Sequence, residues 1–237
     1  SFLQLHPDVG VIGSLDADHL DIYGSRSGMV QNYLHFASQV KSGGRLYVSD
    51  TIMAEEFDAI RNCINPDVQL MRFGFANKEC SVEIESVTQG WINFHYSDKQ
   101  GRELRDLKMR MPGKHNVKNA TVAIAIALDL HVSVTDIKNA LLQFKGIHRR
   151  FEWIYESADA VLIDDYAHHP EELKAAIQAC KSCYPDRMIT GIFQPHLYSR
   201  TRDFLNEFAE VLSGLDQVIL VELYPAREKP IEGISSK

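Results

Sequence analysis

The chain has 237 residues, 45% of them hydrophobic, with a formal charge of -7 and an isoelectric point near 5.8. That apolar content excludes a disordered chain, and the acidic balance argues against a nucleic-acid surface, which needs a basic field. No apolar run reaches membrane-spanning length, no charged segment with an apolar core opens the sequence as a signal peptide would, and no membrane partner is expected. Four cysteines, Cys63, Cys80, Cys180 and Cys183, give no disulfide framework for a chain this long. The Cys180–Cys183 spacing suits redox or zinc chemistry but lacks a second pair. A reduced, cytoplasmic protein is expected. The chain starts without Met, in mid-pattern at Ser1-Phe2-Leu3, as a fragment would.

Residues 9–12 read as a short strand, followed by a polar loop at 16–21. From 28 to 40 the apolar residues Met29, Tyr33, Phe36, Ala37 and Val40 recur at helical spacing. Residues 45–48 return as strand and 55–61 form a short helix. After Pro66 the character changes: 68–73, 81–88, 91–96 and 103–109 read as successive strands, with turn signals at Asn77-Lys78 and at 98–101. Residues 117–130 form a mostly apolar, Ala-rich helix expected to be buried on most faces, and 135–144 a second helix. The segment 145–148 breaks the pattern and sets the expected domain boundary. Beyond it, strands at 151–155, 160–163, 188–193 and 217–223 alternate with helices from Glu171 and from about Arg202. That alternation is doubly wound α/β.

Four polar segments could carry chemistry. Asp164-Asp165-Tyr166-Ala167-His168-His169-Pro170 follows an apolar, β-branched run expected to be a buried parallel strand. Pro170 suits a first helical turn, so the ionisable groups fall at a strand's carboxyl end, where open α/β sheets bind ligands. The alternative is a polar loop whose first Asp caps the helix. Asp16-Ala17-Asp18-His19-Leu20-Asp21 could hold a divalent cation, or be a solvated acidic loop. Gly113-Lys114-His115-Asn116-Val117-Lys118-Asn119 opens the Ala-rich helix. His115 or Asn116 could cap it, or Asn116 and Asn119, three apart and so on one face, could read a base edge. His148-Arg149-Arg150-Phe151 places a guanidinium at a hinge, where it can neutralise a phosphate or make a surface ion pair. Finally, Gln194-Pro195-His196-Leu197-Tyr198-Ser199-Arg200-Thr201-Arg202 follows another strand. Its His, Tyr and Arg suit a carboxylate, with Ser199 or Thr201 as the expected helix cap.

Taken in order, Asp-His-Leu-Asp, Gly-Lys-His-Asn-Val-Lys-Asn-Ala, His-Arg-Arg-Phe-Glu, Asp-Asp-Tyr-Ala-His-His-Pro and Gln-Pro-His-Leu-Tyr-Ser-Arg-Thr resemble the Mur ligases of peptidoglycan synthesis. The resemblance runs to Tyr224-Pro225-Ala226-Arg227-Glu228 and is closest to the members that join L-alanine to UDP-N-acetylmuramate. It implies an α/β chain in two parts. Residues 1–147 would be the later part of a P-loop-type central ATPase domain with an antiparallel appendage, and 148–237 a truncated, Rossmann-like, doubly wound C-terminal domain. The glycine-rich P-loop itself is missing from the sequence, so the chain alone is expected to be inactive. ATP would phosphorylate the muramoyl carboxylate, and the amine of L-alanine would attack the acyl phosphate, with Mg²⁺ offsetting charge between the anions.

The resemblance also implies roles. His19 would organise the metal and phosphate region. His115, Asn116 and Asn119 would hold the nucleotide, Arg150 its phosphates, and Asp165 would face the nucleotide. Tyr166, His168, His196 and Arg200 would line the amino-acid site. Two departures stand out: Leu197 where many relatives carry Arg, and Ala167 in place of a common Gly. Other readings are a recycling ligase that adds a tripeptide to the same sugar nucleotide, a metal-dependent phosphohydrolase, and a nucleotide-binding module without turnover.

Overall fold

The computed structural model describes residues 2–15 and 25–236. Its contacts divide the chain into two units, one of residues 1–85, 93–107 and 114–141, the other of 86–92, 108–113 and 142–237.

One six-stranded sheet has the order β1 (Val9–Ile12), β2 (Arg45–Ser49), β3 (Gln69–Gly74), β4 (Cys80–Thr88), β5 (Trp91–Asp98), β6 (Glu103–Met109). β1, β2 and β3 run parallel, joined through α1 (Arg26–Ser38) and α2 (Ala54–Cys63). Ser25 caps α1 by accepting the Gly28 N–H at 3.1 Å. Both helices bury their apolar stripes on the sheet: Ala37, Phe57 and Ile60 pack with Ile12, Leu46 and Val48. β4 and β5 are joined by Gln89 and Gly90, both at positive φ, a two-residue turn that only antiparallel strands can use. The antiparallel appendage read from the sequence is thus met from β4 onward, but the strand at 68–73 instead extends the parallel run, and β4 pairs parallel to it at Phe73–Cys80 and Gly74–Ser81.

α3 (Lys114–Asp129) packs against β3 and α4 (Val134–Gln143) follows it. α3 buries Val117, Ala120, Thr121 and Ile124, while Lys114, His115, Asn119 and Ala123 are exposed. With Asn116, Val122 and Ala125 also buried, the helix is covered on most faces, as expected, and past its first turn shows solvent only the stripe of Asn119 and Ala123. Lys118 Nζ donates to Ser49 Oγ at 3.1 Å and Thr51 Oγ1 at 3.3 Å, fastening the helix to the carboxyl end of β2. At the carboxyl end of neighbouring β3, Gly74, at φ +142°, lies under the Asp50 carboxylate, which accepts the Ala76 N–H at 2.7 Å.

In the second unit β7 (Glu152–Glu156) and β8 (Val161–Asp164) pair antiparallel. This corrects the expectation of a buried parallel strand at 160–163: Leu162 is 52% exposed. The cause is local. The Ser157 N–H donates to Ala160 O at 2.8 Å, closing a turn too short for a parallel crossover. β9 (Thr190–Phe193) and β10 (Gln217–Leu220) form a parallel pair, connected through α6 (Tyr198–Asp203) and α7 (Leu205–Leu212). The expected single helix from about Arg202 thus begins four residues earlier and breaks at Phe204. α5 (Pro170–Cys183) starts with Pro170 in its first turn, as expected. Phe193, Phe208 and Leu212 form one small core, and Phe151, Ala179 and Cys183 another. Burial on α5 pushes the Cys180 thiol up to about 12 and the Cys183 thiol up to about 11.

Candidate functional site

Three loops of the second unit meet at the carboxyl ends of β8, β9 and β10. The first runs from Asp165 to His169. Its shape depends on Asp165, whose two carboxylate oxygens accept the Phe151 and Ala167 N–H groups, each at 2.8 Å. The Tyr166 N–H in turn donates to Arg149 O at 2.8 Å. The arginine motif and the Asp-Asp-Tyr motif are therefore tied together, and Arg149 and Phe151 are held at positive φ. Burial raises the Asp165 pKa above its usual range, with the two N–H groups and Arg150 opposing the shift.

His168 stands over this loop. Its Nδ1 lies 2.9 Å from Tyr166 O and 3.3 Å from Glu172 Oε2. A proton at Nδ1 donates to Tyr166 O, with the Glu172 carboxylate close beside it. Glu172 also accepts the His168 N–H at 3.0 Å and sits 3.5 Å from Arg150 Nη1. Burial pushes its carboxyl up, but those cationic and N–H partners outweigh it and leave the pKa below the ordinary value.

The second loop carries His196. Its ring centroid is 6.5 Å from that of His168, and it stacks on Tyr224 of the third loop at 5.5 Å. Tyr166 meets His168 edge-on at 5.3 Å. Backbone bonds lace the second and third loops: Leu197 N–H donates to Tyr224 O and Tyr224 N–H to Pro195 O. Burial, helped by Arg200 and His168, lowers the His196 pKa, with Glu228 opposing. His196 Nδ1 and Arg200 Nη1 are both buried without a hydrogen-bond partner. Such orphans are costly unless a ligand satisfies them.

The structure thus brings Tyr166, His168 and His196 into one cluster with Arg200 beside it, as their shared strand-end positions led one to expect. It ties Arg150 to the same loop system through Glu172. Asn116 and Asn119, expected on one face of α3, separate instead: Asn116 is buried and Asn119 exposed, because the buried stripe of the helix reaches 116 and ends short of 119. Neither His115 nor Asn116 is the helix cap, since α3 already starts at Lys114. His19 lies outside the described residues. Among the described residues no three His, Cys, Asp or Glu side chains gather as a metal site.

Sequence reasoning missed Tyr224, Glu172 and Glu228. Glu172 carried a signal, the third helical position counting Pro170 as the first, from which a carboxylate can reach back to the preceding backbone. The expected caps Ser199 and Thr201 do not cap α6; Leu197, at φ +71°, precedes the helix with no side-chain cap. Thr201 Oγ1 donates back to Leu197 O, and the helix start is held by Glu228.

Comparison with known proteins matches residues 1–127 to the Mur ligase middle domain and residues 149–237 to the Mur ligase glutamate ligase domain. The chain is 40% identical, over its full length and 49% of the relative, to the UDP-N-acetylmuramate–L-alanine ligase of Christiangramia forsetii. It is 41% identical, again over its full length and half of the relative, to that of Flavobacterium johnsoniae. It therefore spans about half the length of the curated relatives it matches. Among solved structures, the UDP-N-acetylmuramate-alanine ligase of Thermotoga maritima superposes with a TM-score of 0.75 at 25% identity, over 94% of this chain and 47% of that one. A folylpolyglutamate synthase from Thermotoga maritima shares the fold at 19% identity, over 97% of this chain and 51% of that one, with a TM-score of 0.75. With one family domain covering more than half of its residues and a second covering most of the rest, the chain belongs to the Mur ligase family.

Proposed function

We propose that the protein to which this chain contributes is a cytoplasmic, ATP-dependent ligase that joins L-alanine to the carboxylate of UDP-N-acetylmuramate. The observation that carries this reading is the cluster of His168, His196 and Arg200 with two buried, unpartnered polar atoms, in a chain with whole-length relatives of that name. In the reaction the γ-phosphoryl group of ATP passes to the muramoyl carboxylate, releasing ADP. The amine of L-alanine then attacks the acyl carbon, and phosphate leaves as the amide forms.

The guanidinium of Arg200 suits the alanine carboxylate by charge and by its free Nη1. Tyr166, His168 and His196 would wall the same amino-acid site, with neutral His196 able to accept or donate at its buried Nδ1. Arg150 would turn from Glu172 toward the nucleotide phosphates. Asp165 would act there chiefly by fixing residues 149–151, since both its oxygens already hold backbone donors. Asn119, exposed at the start of α3, suits a nucleotide contact better than buried Asn116, and His115 is exposed beside it. For Mg²⁺ the described residues provide no cluster, and the segment assigned to it, with His19, lies outside them. The two domains would divide near residues 147 and 148.

The test uses the protein with its missing part restored, incubated with ATP, Mg²⁺, UDP-N-acetylmuramate and L-alanine. UDP-N-acetylmuramoyl-alanine with equimolar ADP in the mass spectrum is the expected result. Product only with a tripeptide acceptor would identify the recycling ligase. Phosphate release independent of both acceptors would point to a hydrolase.

A further inference from the structure

The start of α6 presents a problem that the sequence does not solve locally. A helix leaves its first N–H groups without intrahelical acceptors, and Leu197 offers no side-chain oxygen. Yet this helix carries Arg200, and the residue before its cap is His196. Glu228, twenty-nine residues from Ser199 along the chain, supplies the missing acceptor. Its Oε2 accepts the Ser199 N–H at 2.9 Å and its Oε1 the Ser199 hydroxyl at 2.5 Å. These bonds, the Ser199 hydroxyl first, hold the Glu228 carboxyl below its usual pKa, so it remains ionised at neutral pH.

The carboxylate is itself well anchored. The Glu228 backbone N–H donates to Pro225 O, closing a turn, and the strand-like link between Tyr224 and residues 195–197 fixes the base of that turn. The chain from Tyr224 to Glu228 therefore grips the loop before α6 at one end and the first turn of α6 at the other. Both orphaned polar atoms of the site, His196 Nδ1 and Arg200 Nη1, lie on the gripped segment. Two buried groups that forgo partners in the free protein must be held in place by something other than their own bonds.

We propose that Glu228 is a positioning residue for the amino-acid site: by capping α6 it fixes where Arg200 and His196 present their unpartnered atoms to the acceptor's carboxylate. The inference rests on the reading of that cluster as an amino-acid site. Glu228 touches no substrate in this scheme. It sets the geometry of groups that do, so its loss weakens acceptor binding more than it slows the chemical step.

The experiment compares Glu228→Ala and Glu228→Gln with the exposed control Glu210→Gln in the full-length protein. Steady-state kinetics in L-alanine are measured beside backbone hydrogen exchange over residues 196–204. Glu228→Ala is expected to raise the KM for L-alanine by about tenfold or more with kcat changed less than threefold, and to speed exchange at Tyr198 and Ser199 while α7 keeps its protection. Glu228→Gln retains one acceptor oxygen and should fall between, and Glu210→Gln should match the wild type. An unchanged KM with unchanged exchange overturns the proposal. So does a parallel loss of kcat and thermal stability with KM intact, which would make Glu228 a fold residue only. If the wild type ignores L-alanine, the functional reading fails, and the exchange arm still decides whether Glu228 fixes this segment.

Discussion

Replacing Arg200 with Ala separates binding from folding in a way few substitutions do. In the free protein its buried Nη1 has no hydrogen-bond partner, so truncation removes an unsatisfied group as well as a charge. Removing the guanidinium also removes its attraction to Glu228, an exposed, water-screened interaction. The two effects oppose each other, and stability should change by no more than about 1 kcal/mol, or roughly 2–4 °C in Tm for a chain of this size. Substrate binding should respond differently. A hydrogen bond to a charged partner contributes about 1.5–3 kcal/mol, and each 1.36 kcal/mol is a factor of ten. The KM for L-alanine should rise between about tenfold and 150-fold, with Arg200→Lys intermediate because it keeps the charge and loses the planar fork. The assay is ADP release at saturating ATP and UDP-N-acetylmuramate with varied L-alanine, beside a thermal melt of the same samples. A KM within twofold of wild type would refute the assignment. A fall of more than 10 °C in Tm would show instead that the side chain is structural.

Three further outcomes follow from the geometry. Gly74→Ala would place a Cβ 2.1 Å from Asp50 Oδ1 at φ +142°; strained backbone costs about 1–3 kcal/mol and a broken Asp50–Ala76 bond a further ~1–3 kcal/mol, so denaturant unfolding should show a loss of several kcal/mol, and a loss below about 1 kcal/mol contradicts the packing described. Asp165→Ala frees residues 149–151 and should lower turnover by up to about 100-fold, the order expected when a phosphate-facing group is misplaced by an ångström; turnover near wild type would remove Asp165 from the site. His196 has its pKa lowered by burial, then by Arg200 and His168, against Glu228. The folded state therefore takes up fewer protons than the unfolded one just below pH 6.5, and stability should fall as pH drops from 6.5 through the folded pKa. His196→Gln should flatten that part of the stability curve, and an identical slope in the variant would contradict the burial argument.

Whether a feature could be read from the sequence depended on how far along the chain its cause lay. The helix over Met29 to Val40, the strands at 81–88 and 91–96 and the Pro170 start of α5 all follow from patterns a few residues long, and each formed. So did the approach of His168 to His196, each carried on the loop that follows a strand and precedes a helix, although β8 and β9 belong to separate two-stranded sheets. The partner of β8 was misread because apolar, β-branched residues say only that a strand forms. Its direction was decided by the Ser157–Ala160 turn. The two asparagines of α3 parted because a three-residue spacing fixes their angle around the helix but not where the buried stripe ends. The start of α6 was the least legible, for a physical reason. Its cap, Glu228, comes from beyond the last strand, and no rule of spacing joins a carboxylate to a helix twenty-nine residues away. The motifs of this site announce the groups that meet the substrate, whereas the groups that hold them still are recruited through tertiary contacts. That division explains why Arg200 could be named from its motif while Glu228 emerged only once Tyr224 and His196 were seen stacked together.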